Sequence, residues 1–172
     1  MPIGEVSPFA FTDDMKRVVL EQQLGFVASV GPDGTPSLSP KGTTTIWDDH
    51  HLVFADIASP GTVRNLQRQP AVEVNVVDPI GRKGYRFQGI ASVHRGDETY
   101  ERGLALLAER GYRATPDRVR NIVLITVTWA APLRSPAYDG GASESAIRAR
   151  WLDRYRRLND LTDPHDVPPA WS

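Results

Sequence analysis

The 172-residue chain carries 20 Lys and Arg against 21 Asp and Glu, a formal charge of -1, and no cysteine. That composition excludes disulfides, thiolate nucleophiles and Cys-built zinc or iron–sulfur centres, and it supplies no global field to gather nucleic acid or anionic lipid. Residues 1–5 lack the basic and apolar regions of a secretory signal, and no apolar run approaches the roughly 20 residues that span a bilayer. The expectation is a single cytoplasmic domain over residues 1–172 that recognises its partners locally.

Thr12 stands before Asp13 and Asp14, a cap followed by two carboxylates at the positive end of a helix dipole, which predicts a helix over residues 13–23. Leu24, Phe26, Ala28 and Val30 then alternate with Gly25, Val27 and Ser29, the period of a strand, and Gly31 to Gly34 supply a hairpin turn. The second arm spans residues 35–47. A third strand covers residues 51–56 after the turn at Asp48, Asp49 and His50. Ser59 before Pro60 predicts a helix whose serine accepts a bond from a free amide and which ends before Pro70. Val72, Val74 and Val76 mark a fourth strand, and Tyr85, Phe87, Gly89, Ala91 and Val93 a fifth. A helix with Leu104, Leu106 and Leu107 on its apolar side covers residues 98–110, residues 121–129 form the sixth strand, and a last helix covers residues 144–158. Residues 163–169, with Pro164, Pro168 and Pro169, read as an irregular tail that drapes over a partner or frays.

Six short strands joined mostly by tight turns predict a mainly β, α+β domain: a six-stranded antiparallel sheet closing into a barrel with flanking helices, over about residues 18–133. Neither βαβ alternation nor a Gly-x-Gly-x-x-Gly fingerprint is present, so a nucleotide would be held by other means.

Ser37, Ser39, Lys41, Thr43 and Thr45 share one face of the second arm, because side chains two apart on a strand point the same way. Such a face is either solvated or a binding surface. At Ser59 the amides of Gly61, Thr62 and Val63 lack intrahelical acceptors, and a helix start of this kind either simply caps or receives an anion. Gly61 lets a ligand approach the backbone, and the Thr62 hydroxyl adds a donor. Arg82, Lys83, Gly84, Tyr85 and Arg86 open a strand with a basic cluster too small for nucleic acid. His50, His51, His94 and His165 read as solvated or capping residues rather than metal ligands.

Taken in order, residues 24–30, the Asp33-Gly34 turn, Leu38-Ser39-Pro40-Lys41-Gly42, Phe54-Ala55-Asp56 and residues 82–87 resemble the pyridoxamine 5'-phosphate oxidase-related superfamily, closest to its predicted flavin-nucleotide-binding proteins. The resemblance implies a split-barrel homodimer with FMN at the subunit interface. It implies that Ser39, Pro40 and Lys41, with Gly42 and Thr43 following, run along the flavin to its phosphate, and that the backbone of Ala55 and Asp56 meets the isoalloxazine edge. Ser59, Gly61 and Thr62 fall at the phosphate, where family oxidases place a basic pair that this chain lacks, leaving Arg64 or Arg82 to assist. Arg82, Lys83 and Gly84 match a strand contributed by the second subunit. The oxidases' C-terminal Arg-x-His signature is absent, so pyridoxamine phosphate oxidation does not carry over. Residues 135–141 and the helix with Trp151 and Tyr155 either cover the partner's flavin or pack on the barrel. The functional expectation is an FMN-dependent oxidoreductase acting on an unidentified small molecule with NAD(P)H or oxygen. The alternatives are a flavin-binding or storage protein without catalysis and a deazaflavin or haem binder.

Overall fold

The computed structural model describes residues 9–159; the proline-rich segment at 163–169 and His165 lie outside them. Thr12 caps α1 (Asp13–Gln22), its hydroxyl accepting the Met15 amide at 3.3 Å, and Gln23 ends the helix in the left-handed region. Then follow β1 (Gly25–Val30), β2 (Pro36–Lys41), β3 (Thr45–Ile46), β4 (His51–Asp56), α2 (Pro60–Arg68), β5 (Ala71–Asp78), β6 (Lys83–His94), α3 (Glu98–Glu109), β7 (Asn121–Arg134) and α4 (Glu144–Leu158).

The sheet has seven strands in the order β2-β1-β5-β6-β7-β4-β3, not the six expected. The difference lies in the second arm, which breaks at Gly42. The Thr44 amide and hydroxyl both donate to the Lys41 carbonyl, at 3.3 and 2.8 Å, so the chain turns and β3 pairs with β4 instead of extending β2. A Cβ on Gly25 would lie 2.5 Å from Thr44 Oγ1, which shows how closely the turn covers the start of β1. Consequently the five polar residues of this arm do not form one face. Ser37, Ser39 and Lys41 share a face of β2, Thr43 sits in the turn, and Thr45 is buried in β3.

Antiparallel pairing joins β1 to β2 and β5, and β4 to β3 and β7. Inward residues of the sheet, among them Val27, Phe54, Val74, Phe87 and Ile125, pack with Val18 and Val19 of α1 and Leu66 of α2. On the other side of β4 and β7, Tyr100, Leu104 and Leu107 of α3 meet Val53, Ala55 and Ile122. Burial on both sides explains why residues 51–56 are almost continuously apolar. The close approach of α3 requires Gly103, whose Cβ would fall 2.8 Å from Ile122.

The chain divides into two compact units, residues 9–77 with 84–133, and residues 78–83 with 134–159. Within the second, the Tyr138 hydroxyl donates to the Gly81 carbonyl at 2.6 Å, Arg148 pairs with Asp78, and Ser143 caps α4. Trp151 engages Arg82, 4.2 Å from its ring, and Tyr155. No helix among the described residues is long and apolar enough to cross a membrane.

A Cβ on Gly84 would drive into the Val76 carbonyl and the Val77 Cα across the β5–β6 pair, and neither is a flexible group. Gly84→Ala is therefore expected to destabilise the fold by about 2 kcal/mol or more, whereas Gly42→Ala, with open space at its Cβ, stays within about 0.5 kcal/mol. Urea unfolding of both variants checks the pair.

Candidate functional site

Lys41 closes β2, and the alternation that exposes Leu38 and Pro40 turns its side chain inward. It is 4% exposed. Its ammonium donates to Ser39 Oγ at 2.5 Å and to Ser59 Oγ at 2.8 Å, lies 5.8 Å from the Phe54 ring centre, and makes no ion pair with a described carboxylate. Hydroxyls solvate a cation but do not neutralise it. Burial accordingly pushes the Lys41 pKa below its usual value, with the charge of Asp56 opposing the shift.

Ser59 precedes Pro60 at the start of α2, but it does not cap the helix as its sequence implies. It lies at φ -125° and ψ 54°, with no side-chain bond to a helix amide. Lys41, eighteen residues earlier, has recruited its oxygen. The Val63 amide, expected to be free, donates to the Ser59 carbonyl at 3.2 Å. Proline has no N–H, so the amides of Gly61 and Thr62 are those left without a described acceptor. Gly61 has open space where a Cβ would be, and the buried Thr62 has no hydrogen bond from its hydroxyl among the described residues. A buried ammonium and the positive end of a helix thus converge through Ser59, an arrangement suited to an anion.

Asp56 reinforces this corner from behind. It is 1% exposed: one carboxylate oxygen accepts the Ser59 amide at 2.9 Å, the other the Asn121 side-chain amide at 2.8 Å. Asn121 was not singled out in the sequence; its signal is the β4–β7 register, which sets it opposite Asp56. The Ala55 amide donates to Thr43 Oγ1 at 2.9 Å, tying the turn to β4.

The structure therefore brings together Ser39, Lys41, Asp56, Ser59, Gly61 and Thr62, with Thr43 and Ala55 bonded beside them. Pro40 faces outward on β2 opposite Phe26, and Gly42 leaves open space in the turn. Arg82 and Lys83 belong to the second unit, where Arg82 lies against Trp151 and Lys83 donates to Glu144 at 2.8 Å. Gly84 has a packing reason of its own, the approach of β5. Arg64 is exposed on α2.

Comparison with known proteins shows what the chain is similar to. A crystal structure of HupZ from Group A Streptococcus is 26% identical, with 73% of this chain and 95% of that chain covered and a TM-score of 0.65. An F420 reductase is 23% identical over 70% and 98% of the two chains, with a TM-score of 0.57. An FMN-binding protein from Syntrophomonas wolfei subsp. wolfei is 12% identical over 71% and 86%, with a TM-score of 0.56. The last two likenesses establish a shared fold. No curated protein matches the chain. The family model described as pyridoxamine 5'-phosphate oxidase matches residues 11–133, well over half of the sequence and the whole seven-stranded sheet except Arg134, and the chain belongs to that family.

Proposed function

We propose that the chain is a cytoplasmic, homodimeric flavoprotein that binds FMN and works as an oxidoreductase on a small molecule with NAD(P)H or oxygen. The observation that carries the reading is Lys41, a cation 4% exposed whose hydrogen-bond partners are two hydroxyls and no carboxylate. Its burial is costly by several kcal/mol unless an anion compensates it, and a flavin phosphate is such an anion. Ser39 and Ser59 orient the ammonium, the Gly61 and Thr62 amides and the Thr62 hydroxyl add donors, and the open space at Gly61 admits the phosphate. Bound FMN supplies the redox centre. Thr43 and Asp56 fix the end of β4 and the start of α2 around it.

Support for the dimer comes from the outward face of β1 and β2, where Phe26 and Leu38 are 38 and 65% exposed. A binding or storage role without catalysis is the second reading. What favours it is Asp56, whose backbone the family resemblance sets at the isoalloxazine edge and whose two carboxylate oxygens are already committed to Ser59 and Asn121.

Absorbance titrations with FMN, riboflavin and F420 test the ligand. Lys41→Ala is expected to weaken FMN by roughly ten- to a hundredfold, the loss of a charge-assisted bond, while riboflavin changes little. Equal loss for both flavins places Lys41 away from the phosphate. Anaerobic NADPH or NADH then distinguishes the readings, since a reductase bleaches the bound flavin and a storage protein does not.

A bound phosphate favours the charged lysine, so the complex titrates at higher pH than the free protein. FMN affinity should fall as pH rises through the free protein's Lys41 titration, which lies below the ordinary 10.5 because the side chain is buried. Riboflavin affinity, measured in parallel, stays level across that window. For the dimer, sedimentation of the FMN complex should give twice 19.0 kDa; a loaded particle of 19.0 kDa contradicts an interface site.

A further inference from the structure

At the far end of β6 stands a second cluster that shares no residue with the Lys41 corner. Ser92 and His94 are two apart on the strand and project from the same face. Gly96, in the left-handed region at φ 67°, reverses the chain so that Asp97, the N-cap of α3, returns to His94. His94 Nδ1 lies 2.9 Å from Asp97 Oδ2, and His94 Nε2 lies 2.8 Å from Ser92 Oγ.

The proton positions follow from what each group can do. An ionised carboxylate only accepts, so Nδ1 of the ring donates to Asp97 and a neutral imidazole presents its Nε2 lone pair. Ser92 then donates its single proton to Nε2, since its other acceptor, the Leu124 carbonyl, is 3.5 Å away. Asp97 is itself anchored. Its second oxygen accepts the Tyr100 amide at 2.8 Å, and that bond together with the one to His94 holds its carboxyl below the usual carboxylate range. Nucleophile, base and orienting carboxylate thus occur in the order and on the ring nitrogens that acyl transfer requires. Ser92 is exposed, while the His94 side chain is 21% exposed and therefore shielded. Ile90, on the same strand face and 51% exposed, offers an apolar contact beside the serine.

We propose that Ser92, His94 and Asp97 form an activated serine nucleophile with esterase activity toward small activated acyl esters. Ser92 Oγ bonds to the acyl carbon as its proton passes to Nε2; the bond from that carbon to the leaving oxygen breaks, and the proton follows the departing group. Water then attacks the acyl carbon with His94 as base, the bond to Oγ breaks, and the serine regains its proton. The geometry supplies nucleophile, base and orienter, so the substrates are esters with good leaving groups, such as aryl acetates.

The test uses the full chain with an alkyl fluorophosphonate, whose fluoride leaves as Oγ bonds to phosphorus, read by intact mass and peptide mapping, and with 4-nitrophenyl acetate. The expected result is one adduct on Ser92, hydrolysis at least tenfold lower in Ser92→Ala, and labelling at least tenfold slower in His94→Gln and Asp97→Asn. Asparagine still caps a helix, so Asp97→Asn should melt like the parent while labelling slows; a purely structural carboxylate would not separate the two. Absence of an adduct on Ser92, or labelling of both variants at the parent rate, overturns the proposal. The probe reacts without flavin, so neither result depends on whether FMN binds.

Discussion

Strands β2 and β3 stand at opposite edges of the sheet, yet only Gly42, Thr43 and Thr44 separate them in the chain. Those residues can span no more than about 14 Å, so the sheet must curl until its edges nearly meet. The curl brings the end of β2 to the end of β4, and with it Lys41 to Ser59 and Thr43 to the Ala55 amide. The turn is secured from both sides, by Thr44 bonding back to Lys41 and by Gly25 leaving room beneath it. The closure gives this chain a preformed corner where the end of β2 and the start of α2 meet at Ser59.

The electrostatics of that corner are asymmetric. A cation and a helix start are brought together, while the nearby carboxylate, Asp56, is spent on the Ser59 amide and on Asn121 rather than on the lysine. Asp56 acts on Lys41 through its field, raising a pKa that burial lowers more. Had it paired with the ammonium directly, the site would be self-neutralised and an arriving anion would have to break an ion pair. Held one serine away, it positions the donors without competing for them.

Much of this was legible in the sequence. Alternating apolar residues located β1, β5 and β6, the apolar run after the Asp48 turn located β4, and Thr12 with its following carboxylates marked α1 correctly. The break in the second arm was hidden because Lys41, Thr43 and Thr45 keep the polar alternation of a strand even though the chain turns between them. Ser59-Pro60 carries the composition of a cap, but only tertiary structure reveals that a distant lysine takes the serine oxygen. The depth of Asp56 depends on β7 lying beside β4, a pairing across residues far apart in the chain. His94 carries the sequence signal of a solvated or capping histidine, and its partners become visible only where the turn at Gly96 folds Asp97 back.

The bond from Asn121 to Asp56 completes a corner whose parts begin at Ser39. Nearly the entire sheet lies between them, so no peptide excerpt or grafted loop reproduces this arrangement. An anion held there binds only the native ensemble and stabilises the sheet as a unit by mass action, about 2.7 kcal/mol at a hundredfold excess over its dissociation constant. Occupancy of such a corner and resistance to unfolding would then rise together.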